Sequence, residues 1–116
     1  MFIKSYSYYG ENEASIEVTD GKYELICYAY PFDIKIKTFS LNTFLAKNIM
    51  IAGEHEFKIN KLQDYYSYKL QGKLLDAERN LFAVGDIIIK LDGYIPKDII
   101  NGDYIELECV RIDLVQ

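Results

Sequence analysis

His55, the only histidine, stands in Gly53-Glu54-His55-Glu56, a turn-like run between two extended segments. Imidazole serves as base or metal ligand near neutral pH, but a zinc site needs three or four ligands, and metalloprotease spacing needs a second histidine four residues on. Residue 59 is isoleucine, so His55 reads as an exposed loop residue. Cys27 and Cys109 are far apart and lack the Cys-x-x-Cys spacing of a zinc or redox pair. Each sits where a small apolar side chain fits an extended segment, which predicts two buried free thiols. Glu106 and Glu108 share one face of a strand pattern. Paired carboxylates run acid-base chemistry when one is desolvated, yet glutamates two apart on a solvent face ordinarily solubilise. There is no glycine-rich phosphate loop and no Gly-x-Ser-x-Gly elbow. The expectation is therefore a chain without catalytic residues, metal or cofactor.

The richer stock is eleven tyrosines. Tyrosine combines a rigid apolar body with a polar tip, which favours it on recognition surfaces, although strands also favour it intrinsically. Tyr6, Tyr8 and Tyr9 form one group, Tyr28 and Tyr30 a second, and Tyr65, Tyr66 and Tyr68 a third. Period-two geometry turns some of each group outward.

Charge is unevenly placed. Met1 to Leu75 carries nine acidic residues against nine lysines, whereas Asp76 to Gln116 carries nine acidic residues against Arg79, Lys90, Lys97 and Arg111. The net charge of −5 thus belongs to the last third of the chain. Such a region repels phosphate backbones and steers basic partners. Tyr94, Asp98, Asp103, Tyr104, Glu106 and Glu108 are the candidate binding residues there.

The elements that would position these residues are strands. At 116 residues the chain fits one domain, spanning 1–116, and its glycine and proline content leaves no room for a collagenous or low-complexity segment. Apolar and polar residues alternate over 2–9 and 14–19, and Asp20-Gly21 signals a hairpin into 22–30, which Pro31 ends. A short strand is expected over 34–39. Leu41, Phe44 and Leu45 fall at helical spacing, so 40–47 is read as at most one short helix before the strand-like 48–51. Further strands are expected over 56–62, 65–75 and 81–84, and again from Ile87 to Leu91. In the 65–75 strand, Tyr65, Ser67, Lys69, Gln71 and Lys73 are assigned to water, and Gly72 is read as a bulge or bend. Residues 92–101 read as a turn-rich connector.

The last strand changes phase. Ile105, Leu107 and Cys109 share one parity while Ile112 and Leu114 take the other, so one residue near Val110-Arg111 must be absorbed in a bulge. The fold class that follows is all-β and mainly antiparallel, a small single-domain barrel or sandwich.

The run from Val84 to Leu114, with its Ile87–Leu91 strand, Gly93…Pro96 elbow and Gly102-Asp103 turn into a bent closing strand, resembles part of an oligonucleotide/oligosaccharide-binding (OB) barrel over about a quarter of the chain. In size and in its Ile, Lys, Asn and Tyr content the whole chain is similar to small acidic orphan proteins of AT-rich bacteria, some of which are immunity factors. Met1-Phe2-Ile3-Lys4-Ser5-Tyr6-Ser7 lacks the uninterrupted apolar run of a signal peptide, which predicts a cytoplasmic protein. The acidic C-terminal region together with the second likeness implies a non-enzymatic protein-binding module that meets a basic partner, such as a toxin. The alternatives are an OB-like single-stranded nucleic-acid binder using Tyr28, Tyr30 and Tyr65 with Lys69 and Lys73, or a small-ligand or enzyme domain. The charge balance disfavours nucleic acid, and the apolar runs, such as Ile87-Ile88-Ile89, are too short to span a bilayer.

Overall fold

The computed structural model describes all 116 residues and contains eleven strands and no helix. The strands are β1 (Phe2–Tyr8), β2 (Ala14–Thr19), β3 (Glu24–Ala29), β4 (Ser40–Phe44), β5 (Lys47–Ile51), β6 (Lys58–Lys61), β7 (Tyr68–Asp76), β8 (Leu81–Val84), β9 (Ile87–Lys90), β10 (Tyr104–Cys109) and β11 (Arg111–Val115). No helix is long and apolar enough to cross a membrane.

All strands join one mixed sheet in the order β1-β2-β3-β11-β4-β9-β8-β7-β10-β5, with β6 added to β7. Most pairs are antiparallel, but β3–β11 and β4–β9 are parallel. The sheet is thus mixed, and it holds more strands than a small barrel.

Two kinked ribbons organise it. β10 and β11 are halves of one strand separated only by Val110, which absorbs the phase change: Ile105, Leu107 and Cys109 are buried before it and Ile112 and Leu114 after it. β4 and β5 run antiparallel along that ribbon and turn the same corner at Leu45-Ala46, where Val110 N–H donates to the Phe44 carbonyl. Ile16, Leu25, Leu70, Leu74, Phe82, Ile87, Ile89 and these ribbon residues make the core. Cys27 and Cys109 are free and buried in it. Burial pushes both thiols up, Cys109 to about 12.

Two expectations are overturned, the strand over 34–39 and the solvated Ser67 and Gln71, and the structure decides 40–47 and the place of the bulge near Gly72. Residues 40–44 form a strand rather than a helical turn, because Leu41 and Thr43 both face inward and the Thr43 hydroxyl is held by Asp92. The helical spacing of Leu41, Phe44 and Leu45 is accidental, since Phe44 and Leu45 are exposed. Residues 34–39 form no strand, because local and C-terminal groups occupy the backbone of this segment. The Asp33 carboxylate accepts from Lys35 N–H, while the Gln116 amide bonds Asp33 N–H and the carbonyls of Asp33 and Ile36. Gly72 pairs in unbroken register with Ile105, and the bulge lies later, between Leu74 and Asp76. Ser67 and Gln71 are buried rather than solvated, with Ser67 donating to the Val110 carbonyl and Gln71 to the carbonyls of Glu54 and Glu56.

Candidate binding surface

The outward residues of β2, β3, β11 and β4 form a surface of aromatic rings around one arginine. Strand parity sets it: Ser15, Tyr28 and Asp113 stand in register across β2, β3 and β11, and Arg111 pairs with Phe44 of β4. The Arg111 guanidinium carbon lies 4.6 Å from the centroid of Tyr28 on one side and 4.6 Å from that of Phe44 on the other. Its Nε donates to Asp113 Oδ1 at 2.5 Å and its Nη2 to Asp113 Oδ2 at 3.2 Å. The doubly bonded fork fixes the plane of the group, and the rings stack on it favourably.

The loop before β7 extends the strip. Tyr66 stands edge-on to Tyr28 at 5.7 Å, Tyr65 edge-on to Tyr66 at 4.8 Å, and the Tyr9 and Tyr66 hydroxyls bond each other at 2.7 Å. Tyr65 is 61% exposed and its hydroxyl meets Ser15 Oγ. Lys61 fixes this loop, its ammonium donating to the carbonyls of Leu62, Asp64 and Ser67. Burial, then the bond to Tyr66, raises the Tyr9 hydroxyl, and burial, then the neighbouring Glu13 carboxylate, raises that of Tyr28. Both rings therefore stay neutral at physiological pH.

Beside the strip, a groove of about 290 Å³ separates β3 from β6, lined by Glu17, Glu24, Ile26, Ile59, Lys61 and Tyr68. Next to Glu24–Ile26 the edge of β3 has no strand partner, and the Ile26 N–H donates instead to the hydroxyl of the buried Tyr68 at 2.8 Å. Replacing Tyr68 with Phe removes that acceptor and keeps the ring. Because the groove admits some water to the orphaned N–H, Tyr68→Phe is expected to cost about 1–2 kcal/mol. Urea unfolding of the two proteins checks it, and an unchanged midpoint would deny the hydroxyl its role.

The six candidate residues of the acidic third do not form one cluster. Tyr94 is 73% exposed in a shallow depression with Ala77, Asn80 and Ile95, and Asp98 is exposed on the same connector. Asp103 closes its own turn by accepting from Ile100 N–H. Tyr104, Glu106 and Glu108 do share the outer face of β10, with Tyr104 stacked on His55 at 5.0 Å. Opposite them in register stand Lys73, Gln71 and Lys69 of β7, and Lys47 of β5 faces Glu108. Glu108 is further bonded to Asn48. The lysines come from the neutral part of the chain, so folding interleaves charges that are segregated in sequence. Asp76, Asp92 and Asp113 are likewise engaged by local N–H groups or by Arg111.

Of the tyrosines named for nucleic-acid stacking, Tyr28 and Tyr65 lie in the strip, whereas Tyr30 lies beside Pro31 and Phe32. Lys69 and Lys73 stand on the β7–β10 face with the glutamates, not beside the strip. Arg111 and Phe44 were not singled out as contact residues by sequence, whereas Tyr9 and Tyr66 were named within the tyrosine groups. Comparison with protein-family models, curated proteins and solved structures finds no match for this chain.

Proposed function

We propose that the chain is a non-enzymatic protein-binding module whose contact surface is the strip from Tyr9 through Tyr65, Tyr66 and Tyr28 to Phe44, centred on Arg111. The observation that carries this reading is the arginine locked between two rings and a carboxylate. Tyrosine and arginine dominate binding hot spots, and side chains already fixed in place lose little freedom on docking. The rim includes Glu13 and Glu17, and the net charge is −5, which fits a basic partner such as a toxin bound by an immunity protein or inhibitor. Glu108, faced by Lys69 and Lys47, and Glu106 beside it would tune the rate of encounter more than the strength of the complex. The ring of pairings β7–β8–β9–β4–β11, closed through β10 back to β7, supports an OB-like barrel as the scaffold.

Single-stranded nucleic acid is the second reading, since exposed rings and an arginine are the parts of a base-stacking platform. The acidic rim and the absence of Lys69 and Lys73 from the strip count against it.

The test is capture of a partner from the source cell on immobilised protein, followed by affinity measurement with purified partner. Phe44→Ala and Tyr65→Ala are each expected to weaken the complex by about tenfold or more, at the scale of hot-spot residues. A partner bound equally well by both variants, or tight binding of a labelled single-stranded oligonucleotide at low salt, would overturn the proposal.

A further inference from the structure

The sheet path ends at β1, whose outer edge has no strand beside it. An unpaired edge is a template for another strand, and folded chains blunt such edges with charges, prolines or bulges. β1 has such devices only at Lys4, where a charged residue coincides with the register shift between Ile3 and Ser5, and beyond it none. Ser5-Tyr6-Ser7-Tyr8 pairs with β2 in unbroken register, lacks charge and proline, and is exposed throughout. Tyr6 and Tyr8 lie on the core face, opposite the buried Ile16 and Ala14, yet they remain 45% and 43% exposed. Their rings pack on Phe32 from one side, at 5.7 Å each, and the side that a neighbouring strand would cover is open.

From this geometry we infer that β1 is a homodimer interface, pairing antiparallel about a twofold axis with β1 of a second copy to give a sheet continuous across both. The register of β1 and the closure of a twofold contact select both the partner and the direction. Antiparallel pairing centred on Ser7 sets Tyr6 of each copy opposite Tyr8 of the other on one face and brings the Lys4 end of one strand beside the Gly10-Glu11 end of the other, while the Lys4 ammonium stays on Glu24 of its own chain. Parallel pairing about a twofold axis would turn the Tyr6 and Tyr8 faces of the two copies to opposite sides of the sheet. The opposite edge, β5, carries Lys47 and has Asn48 at a left-handed φ of 55°, a less regular template. A twofold contact of β1 with itself also closes, whereas β1 on β5 would propagate into filaments. The tyrosines of both copies would then meet across the axis and cover the open flank of the Phe32 cluster.

Light scattering on the full chain after size exclusion reads this directly. The chain is 13.5 kDa, so a dimer has twice that mass. The dimer is expected at about 100 μM, with dissociation on dilution. Ser7→Lys places two like charges near the axis at an exposed position, and it is expected to give the single-chain mass with an unchanged circular dichroism spectrum. Met50→Lys, on the β5 edge, is expected to leave the dimer intact. A single-chain mass for the unaltered protein at about 100 μM, a dimer that survives Ser7→Lys, or loss of the dimer in Met50→Lys would each overturn the assignment.

Discussion

Gly72→Ala is expected to destabilise the protein by about 3–4 kcal/mol or to prevent folding, at the upper end of what overpacking costs. A methyl group at residue 72 would sit 2.1 Å from the Ala83 carbonyl oxygen and 2.9 Å from Phe82 Cζ. The first obstacle is backbone of the adjacent strand, so no side-chain rotation relieves it. Gly72 lies where β7 leaves β6 and takes up β8, while holding register with Ile105 of β10 on its other side. Moving β8 away would open the wall formed by Phe82, Val84 and Leu74, all fully buried. Gly21→Ala is the comparison that separates sterics from backbone preference. Gly21 has a φ of 99° but nothing within 4 Å of the added methyl, so only the conformational cost applies, about 1–2 kcal/mol. Denaturant midpoints for both variants decide the matter, and equal losses would mean that close strand approach is not what demands glycine at 72.

Gly72 also shows what strand periodicity conveys and what it leaves out. A glycine interrupting an apolar row was legible as a constraint, but a bulge and a close approach of a neighbouring strand leave the same mark in one dimension. Parity alone located the inward rows of β10 and β11, including the slip at Val110, because each of those strands buries one clean row. It failed at 40–44, where an inward threonine is satisfied by Asp92, 49 positions later. It failed again at Gln71, which is buried by carbonyls of the 54–56 loop. The aromatic strip was unreadable for a related reason: its members come from just after β1, the end of β3, the loop before β7, the end of β4 and the start of β11. Only their outward parity was available, and outward tyrosine in a strand is ordinary. The acidic surplus was read correctly as a count, but its dispersal needed the register that sets Lys69 opposite Glu108.

Asp92→Ala is expected to cost about 2–3 kcal/mol and to loosen one end of the aromatic strip. The carboxylate accepts from Thr43 Oγ1 at 2.8 Å, Leu45 N–H at 2.7 Å and Ala46 N–H at 2.9 Å, and its own N–H donates back to the threonine hydroxyl. These bonds hold the corner between β4 and β5, where Leu45 takes a left-handed φ of 54° although it is neither glycine nor asparagine. Such a conformation in a bulky residue costs about 1–2 kcal/mol and persists only where surrounding contacts impose it. Phe44, one residue earlier, is the ring on which Arg111 rests, so a relaxed corner unseats the arginine from one side. Hydrogen bonds to a charged acceptor are the stronger kind, but Asp92 is exposed to solvent, which keeps the total below a simple sum of three. The same contacts fix a pH dependence. Burial alone would raise the Asp92 carboxyl, but the Ala46, Thr43 and Leu45 donors outweigh it and hold the group below the usual carboxylate range. Its contribution is therefore fully present above the unfolded value of about 3.9 and is lost as pH falls through the lower folded value. Asp20 is shifted the same way, burial again being outweighed, here by the N–H groups of Tyr23, Asp86 and Lys22. Stability measured from pH 7 down to about 2 should fall less steeply in Asp92→Ala than in the unaltered protein, with the Asp20 share remaining. Parallel curves for the two proteins would mean that the carboxylate is not what braces the corner. A variant that loses stability while Phe44 keeps its shielding of Arg111, read by NMR of the guanidinium, would separate the brace from the strip.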